Sequence, residues 1–168
     1  GVQGLSHLEA FVEGLGVKQV LIASRSDAST DALVAHAHTL GVDAQRVKDA
    51  NEVLAECSLV VSATSAQQIV LHAKPRPDAF ICAVGAFTPT MLEWDPAVCQ
   101  HVARHGRVVV DSRDADHEAG DLLNAGLDVA QFPALADVLH AGHAWSRPDN
   151  RQGPVFFKSC GWAGWDLA

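Results

Sequence analysis

Short, largely apolar runs alternate with stretches of helical spacing along this chain, and no other feature limits its fold so strongly. The runs are Gln19 to Ala23, Leu59 to Ala63, Phe80 to Val84, Val108 to Val110 closed by Asp111, and Val155 to Lys158, with a more polar candidate strand at Asp43 to Val47. Four or five residues without polar alternation are typical of strands covered on both faces. Between them, Val2 to Gly14 places Val2, Leu5, Leu8, Phe11, Val12 and Leu15 at three- and four-residue spacing, one face of a helix that Gly14 and Gly16 end. Further helices are expected at Thr30 to Leu40, with Ser29 or Thr30 as N-cap and Gly41 as stop, at Asn51 to Glu56, Pro96 to His105, Ala115 to Asn124 and Leu135 to His140, and after Gly161. Parallel neighbours need crossover helices, so the pattern predicts an α/β fold, a doubly wound parallel sheet of Rossmann-like type. The turn-forming stretch Ser146 to Pro154 reads as an exposed loop inside one domain.

The chain has 168 residues, 48% of them hydrophobic and 19% charged, the balance of one globular domain with a buried core. A formal charge of -8 disfavours nucleic acid and anionic membrane as partners, and no apolar stretch approaches the roughly 20 residues that span a bilayer. Cys57, Cys82, Cys99 and Cys160 lie far apart without a C-x-x-C pair, three of them in or beside apolar runs; reduced thiols of a cytoplasmic protein are expected.

Gly1 and Gly4 have the spacing of the second and third glycines of G-x-G-x-x-G, at a helix start whose free N–H groups suit a pyrophosphate. The chain therefore reads as an excerpt whose first strand and first glycine lie upstream. A ribose-reading residue is expected about 20 residues on, at the tip of the next strand. That tip is Ser24-Arg25-Ser26, and hydroxyls beside a guanidinium suit a 2'-phosphate, which favours NADP(H) over NAD(H). The other reading leaves Arg25 as a solvated charge and gives the ribose to Asp27.

With the opening GVQG, the segments VVSATS from Val60, CAVGAFTP from Cys82, VVVDSR from Val108, EAGDL from Glu118 and FFKSCGWAGWDLA from Phe156 occur in an order and at intervals that resemble the ornithine cyclodeaminase/mu-crystallin family. The resemblance covers nearly the whole chain. It implies a two-domain enzyme in which residues 1–168 hold NAD(P)(H), while a domain outside the chain supplies most substrate contacts and a homodimer interface. By the same resemblance Gly1, Val2 and Gln3 sit at the pyrophosphate, Ser24, Arg25 and Ser26 at the adenosine ribose, and Ser62, Ala63 and Thr64 along the cofactor. Val84 and Gly85 would lie near the nicotinamide, with Lys158, Ser159 and Gly161 closing its far side. Plainer roles stand beside these: capping or turn bonds for Ser62 and Thr64, and an exposed strand-end charge for Lys158.

One departure matters. Cyclodeaminases of this family carry V-G-x-D-x-P after the nicotinamide strand, the aspartate serving substrate amine and water; here the stretch is Val84-Gly85-Ala86-Phe87-Thr88-Pro89. A phenyl ring cannot take up a proton or form an ion pair, so no catalytic side chain is assigned and Phe87 reads as an apolar wall. Asp111, Arg113, Asp114, Asp116, His117, Glu118 and Asp121 form a dense polar stretch without ligand spacing, and no metal is expected. His36 and His38 read as helix surface, and Trp94, Trp145, Trp162 and Trp165 as core or interdomain packing. The resulting expectation is an NAD(P)H-dependent oxidoreductase of a C=N or CH–NH bond in a small imino or amino acid. The alternatives are an NADPH-binding crystallin-like protein without turnover and an ornithine cyclodeaminase proper; a chain without tyrosine lacks the Tyr-x-x-x-Lys pair of sugar and alcohol dehydrogenases.

Overall fold

The computed structural model describes residues 1–65, 67–142 and 153–161. By its contacts the chain divides into two units, Gly1–Val53 and Leu54–Ala168.

In the first unit, helix α1 (Val2–Leu15) leads to strand β1 (Gln19–Ile22), helix α2 (Asp27–Thr39) and strand β2 (Asp43–Arg46). The strands pair in parallel, Gln19 opposite Asp43 and Ile22 opposite Arg46. The apolar stripe of α1 is used as expected: Leu8, Ile22, Ala37, Val42 and Ala44 form a buried core against which Val12, Val20, Leu33, Val34 and Leu40 pack. Helix α2 starts three residues earlier than expected. The N-cap is Ser26, whose Oγ accepts the Ser29 N–H at 3.3 Å, while the Thr30 hydroxyl donates to the Ser26 carbonyl at 3.1 Å. Ser26, Ser29 and Thr30 differ little in capping propensity, and Thr30 is buried inside the helix. His36 is not plain helix surface either: its Nε2 lies 2.8 Å from Glu9 of α1.

The second unit is built on a four-stranded parallel sheet. Strands β3 (Leu59–Ser62), β5 (Phe80–Ala83), β7 (Arg107–Val110) and β8 (Val155–Lys158) take the order β3-β5-β8-β7. Two further strands, β4 (Gln67–Leu71) and β6 (Leu92–Trp94), pair in parallel as a separate small sheet and were not anticipated. Helix α3 (Pro96–His105) has the expected bounds, with Asp95 as N-cap and Pro96 opening the first turn. The helical stretch after Asp114 is two short pieces, α4 (Ala115–Glu118) and α5 (Gly120–Asn124), broken at Ala119, whose ψ of 73° leaves the helical range. Asn51 to Glu56 similarly resolves into two 3₁₀ turns, and α6 (Leu135–Ala141) follows. The core holds Ile81, Val102, Val110, Leu122 and Phe156, all at most 2% exposed. Trp94 is fully buried with its ring edge-on to Phe156 at 5.5 Å, a contact that contributes about 0.5–1.5 kcal/mol beyond burial. Trp145, Trp162, Trp165, most of the Ser146–Pro154 loop and the helix expected after Gly161 lie outside the described residues.

Candidate functional site

The four strands of the main sheet end in one row. Beyond their last paired residues the backbone ladder continues: Val84 N–H donates to the Ser62 carbonyl at 2.8 Å, Ser159 N–H to Ala83 at 2.9 Å and Asp111 N–H to Lys158 at 3.0 Å. Ala63 and Thr64, Val84 and Gly85, and Ser159 to Gly161 therefore stand at the carboxyl ends of neighbouring parallel strands, the edge at which open α/β sheets bind ligands. Ala63, Phe87 and Gly161 are exposed there, and Thr64, Val84 and Ser159 are half-buried.

Two of the expected contacts face inward. Ser62 is buried, and its hydroxyl donates to Glu93 Oε2 at 3.0 Å while accepting from the Trp94 indole N–H at 2.9 Å. Lys158 is neither an exposed strand-end charge nor a side chain free to close over a ligand. It is fully buried, its Nζ 3.5 Å from Asp121 Oδ2 and 3.4 Å from the Ala83 carbonyl. An ammonium without water needs an opposite charge, and Asp121, also fully buried, supplies it.

Two carboxylates fix the loops of this edge. Asp111, at the end of β7, accepts through Oδ2 from the Ser159 hydroxyl (2.8 Å) and from the Cys160 and Gly161 N–H groups (2.8 and 2.9 Å). Glu93, fully buried in β6, accepts from the Ser62 hydroxyl, from the Thr64 N–H at 2.5 Å and from the Gly85 N–H at 3.1 Å. Gly85 has to be glycine here, because a Cβ would overlap the Glu93 carboxylate and the Thr64 carbonyl. Sequence reasoning missed Glu93, which sits alone between Leu92 and Trp94 and meets its partners only through the fold. The one available signal was an acidic residue inside an otherwise apolar Met91–Trp94 stretch.

The remaining acidic and basic residues of the 111–121 stretch are dispersed. Asp121 pairs with Lys158, Arg113 with Asp137 at 2.8 Å, and His117 lies 3.3 Å from Asp116. Among the described residues no group of three metal-ligating side chains stands together. The cysteines are free, Cys82 and Cys99 buried, Cys57 and Cys160 partly so. Burial pushes the Cys82 thiol up to about 11 and that of Cys160 to about 12, with Lys158 pulling the other way in both. An open cleft at the start of α3, lined by His72, Lys74, Asp95, Ala97, Val98 and His101, includes none of the expected residues.

In the first unit, Gly1, Val2 and Gln3 are exposed at the α1 N-terminus, where the first N–H groups of a helix lack partners within it. Beyond β1, Ser24, Arg25 and Ser26 are exposed, and Arg25 has no hydrogen bond or ion pair among the described residues. Asp27 is taken by Arg46 at the end of β2, which also stands 3.6 Å from Asp31. An exposed guanidinium and two hydroxyls, with the nearby carboxylate paired to Arg46, are the polar groups this strand end offers a ribose. The open N–H groups of α1 fit a pyrophosphate.

The model of the ornithine cyclodeaminase/mu-crystallin family matches residues 1–168. Delta(1)-pyrroline-2-carboxylate reductase 1 of Burkholderia multivorans is 34% identical over 174 residues, covering 100% of this chain and 51% of that protein. Ketimine reductase mu-crystallin of Mus musculus is 30% identical over 169 residues, covering 99% and 50%. Among solved structures, Thermococcus litoralis Delta(1)-pyrroline-2-carboxylate reductase in complex with NADH and L-proline superposes with a TM-score of 0.81 at 24% identity, over 96% of this chain and 50% of that one. An archaeal alanine dehydrogenase dimer with bound NAD gives 0.82 at 21% identity, over 99% and 52%. These likenesses establish the Rossmann-like α/β class. The chain spans about half the length of the curated relatives it matches.

Proposed function

The chain belongs to the ornithine cyclodeaminase/mu-crystallin family, and from that premise we propose that residues 1–168 are the nucleotide-binding domain of an NADP(H)-dependent oxidoreductase. Its reaction is reduction of the C=N bond of a small imino acid, or oxidation of the matching CH–NH bond. The observation that carries imine chemistry over cyclodeamination is Phe87. It fills the position of the cyclodeaminase aspartate, is 50% exposed, and brings no carboxylate to the edge that Ala63, Val84 and Gly85 form. Relatives named as reductases of Delta(1)-pyrroline-2-carboxylate and of ketimines support the same substrate class.

A bound nicotinamide supplies the hydride, and the residues of the chain bind, orient and screen it. Gly1, Val2 and Gln3 offer open N–H groups to the pyrophosphate, while Ser24, Arg25 and Ser26 read the ribose and its 2'-phosphate. Ala63, Thr64 and Val84 line the nicotinamide edge over the buried Gly85, and Ser159 and Gly161, held by Asp111, cover its far side. Ser62 and Lys158 act from beneath that surface. Homodimerisation through a domain outside residues 1–168 and a cytoplasmic setting, which the four free cysteines suit, belong to the same proposal. No helix among the described residues is long and apolar enough to cross a membrane.

The test is NADPH oxidation by the full-length protein offered Delta(1)-pyrroline-2-carboxylate or Delta(1)-piperideine-2-carboxylate. Turnover with either supports the proposal. Tight NADPH binding with no turnover on any cyclic imino acid would instead support the crystallin-like alternative.

A further inference from the structure

We propose that Glu93 is the positioning residue that sets the loops after β3 and β5 in the shape that receives the reduced nicotinamide. The inference rests on the functional reading above and goes beyond it, because Glu93 is fully buried and is not among the residues assigned above to the cofactor.

After the Val84 N–H has bonded the Ser62 carbonyl, the pairing of β3 and β5 stops, and the Thr64 and Gly85 N–H groups need other acceptors. Glu93 supplies them to both loops at once: Oε1 takes Thr64 N–H, and Oε2 takes Gly85 N–H together with the Ser62 hydroxyl. The bare Cα of Gly85 lets the carboxylate come this close. The carboxylate is itself held. The Glu93 backbone N–H and that of Trp94 donate to Asp121 Oδ1 at 2.7 and 2.9 Å, Asp121 faces the Lys158 ammonium, and the Trp94 indole braces Ser62. Packing alone does not require this arrangement, since a leucine would fill β6 without burying a charge. What the carboxylate adds is a fixed distance between two strand ends whose outward faces carry Ala63, Val84 and Phe87, the surface assigned above to nicotinamide and substrate.

Glu93→Gln in the full-length protein tests this at nearly constant volume. Each wild-type oxygen accepts from a backbone N–H, so the new amide NH₂ must oppose either Thr64 or Gly85 and push one loop away. The expected result is a folded variant whose kcat for imine reduction drops about a hundredfold, the usual consequence of misplacing a reacting group by about 1 Å, while the KM for the imino acid stays within about twofold. Val102→Ala, a cavity at an apolar α3 side chain that makes none of these hydrogen bonds, is the control and should lower the melting temperature without that kcat loss. A Glu93→Gln kcat no lower than that of the control overturns the inference and leaves the functional reading standing. A wild type that binds no pyridine nucleotide overturns both. If Glu93→Gln does not fold, amide exchange in the wild type decides: slow exchange at Thr64 and Gly85 supports the carboxylate anchor, and exchange as fast as at open loop amides overturns it.

Discussion

Arg46 donates to the Asp27 carboxylate, so the first acidic side chain after β1 is held by the neighbouring strand while Arg25 remains without a partner among the described residues. In the proposed reading Arg25, and not Asp27, meets the adenosine ribose. Arg25→Ala should therefore cost about 1.5–3 kcal/mol of NADPH affinity, roughly a ten- to hundredfold rise in Kd, with little change for NADH. Titration of the full-length variant with both cofactors checks this. Equal, small losses for the two would show that Arg25 does not read the phosphate.

Phe87 being half exposed makes a second prediction about folding. An aspartate at this position stays hydrated and avoids the penalty of a buried charge, so Phe87→Asp should lower the melting temperature by only a few degrees. Loss of the folded state on thermal denaturation would place the ring in the core and remove it from the site.

The Lys158–Asp121 pair behaves differently, because both side chains are fully buried. Lys158→Met strands a carboxylate away from water and should destabilise by about 3–5 kcal/mol in urea unfolding. Asp121→Asn in the same chain removes that charge yet keeps an oxygen for the Glu93 and Trp94 N–H groups. The double variant should recover much of the loss; additive losses would mean the pair is not coupled.

The buried thiols give stability a dependence on alkaline pH. Burial holds Cys82 protonated up to about 11 in the folded chain against 9.0 when unfolded. Above pH 9 the unfolded state thus binds fewer protons than the folded one, and stability should fall as pH rises through the window from 9 to about 11. Urea midpoints across that range measure it, and Cys82→Ala should flatten the slope.

How far the sequence could be read depended on where each signal lay along the chain. β5, β8 and α3 were legible from unbroken apolar runs or from the Asp95-Pro96 start, all local features. β4 and β6 were not: Gln67 and Gln68 leave β4 polar and largely exposed, and three residues containing a glutamate do not look like a strand. The candidate edge was found through glycines and hydroxyls that follow strands. The side chains beneath it were missed or misread for a single reason. Glu93, Asp121 and Lys158 acquire their meaning only when segments far apart in sequence meet, and a lone buried charge has no periodicity to betray it. Ser62 illustrates the same limit, its hydroxyl turned by Trp94 and Glu93 away from the surface that its position suggested.

The central claim is hydride transfer to an imine carbon, and isotope transfer tests it most directly. The full-length protein is given NADPH carrying deuterium at the transferable nicotinamide position, together with Delta(1)-pyrroline-2-carboxylate, and the product is examined by mass spectrometry and NMR. One deuterium on the α carbon of proline, with the nitrogen proton drawn from solvent, is the predicted result. NADPH bound at micromolar concentration with no deuterium in any amino acid product would contradict the account.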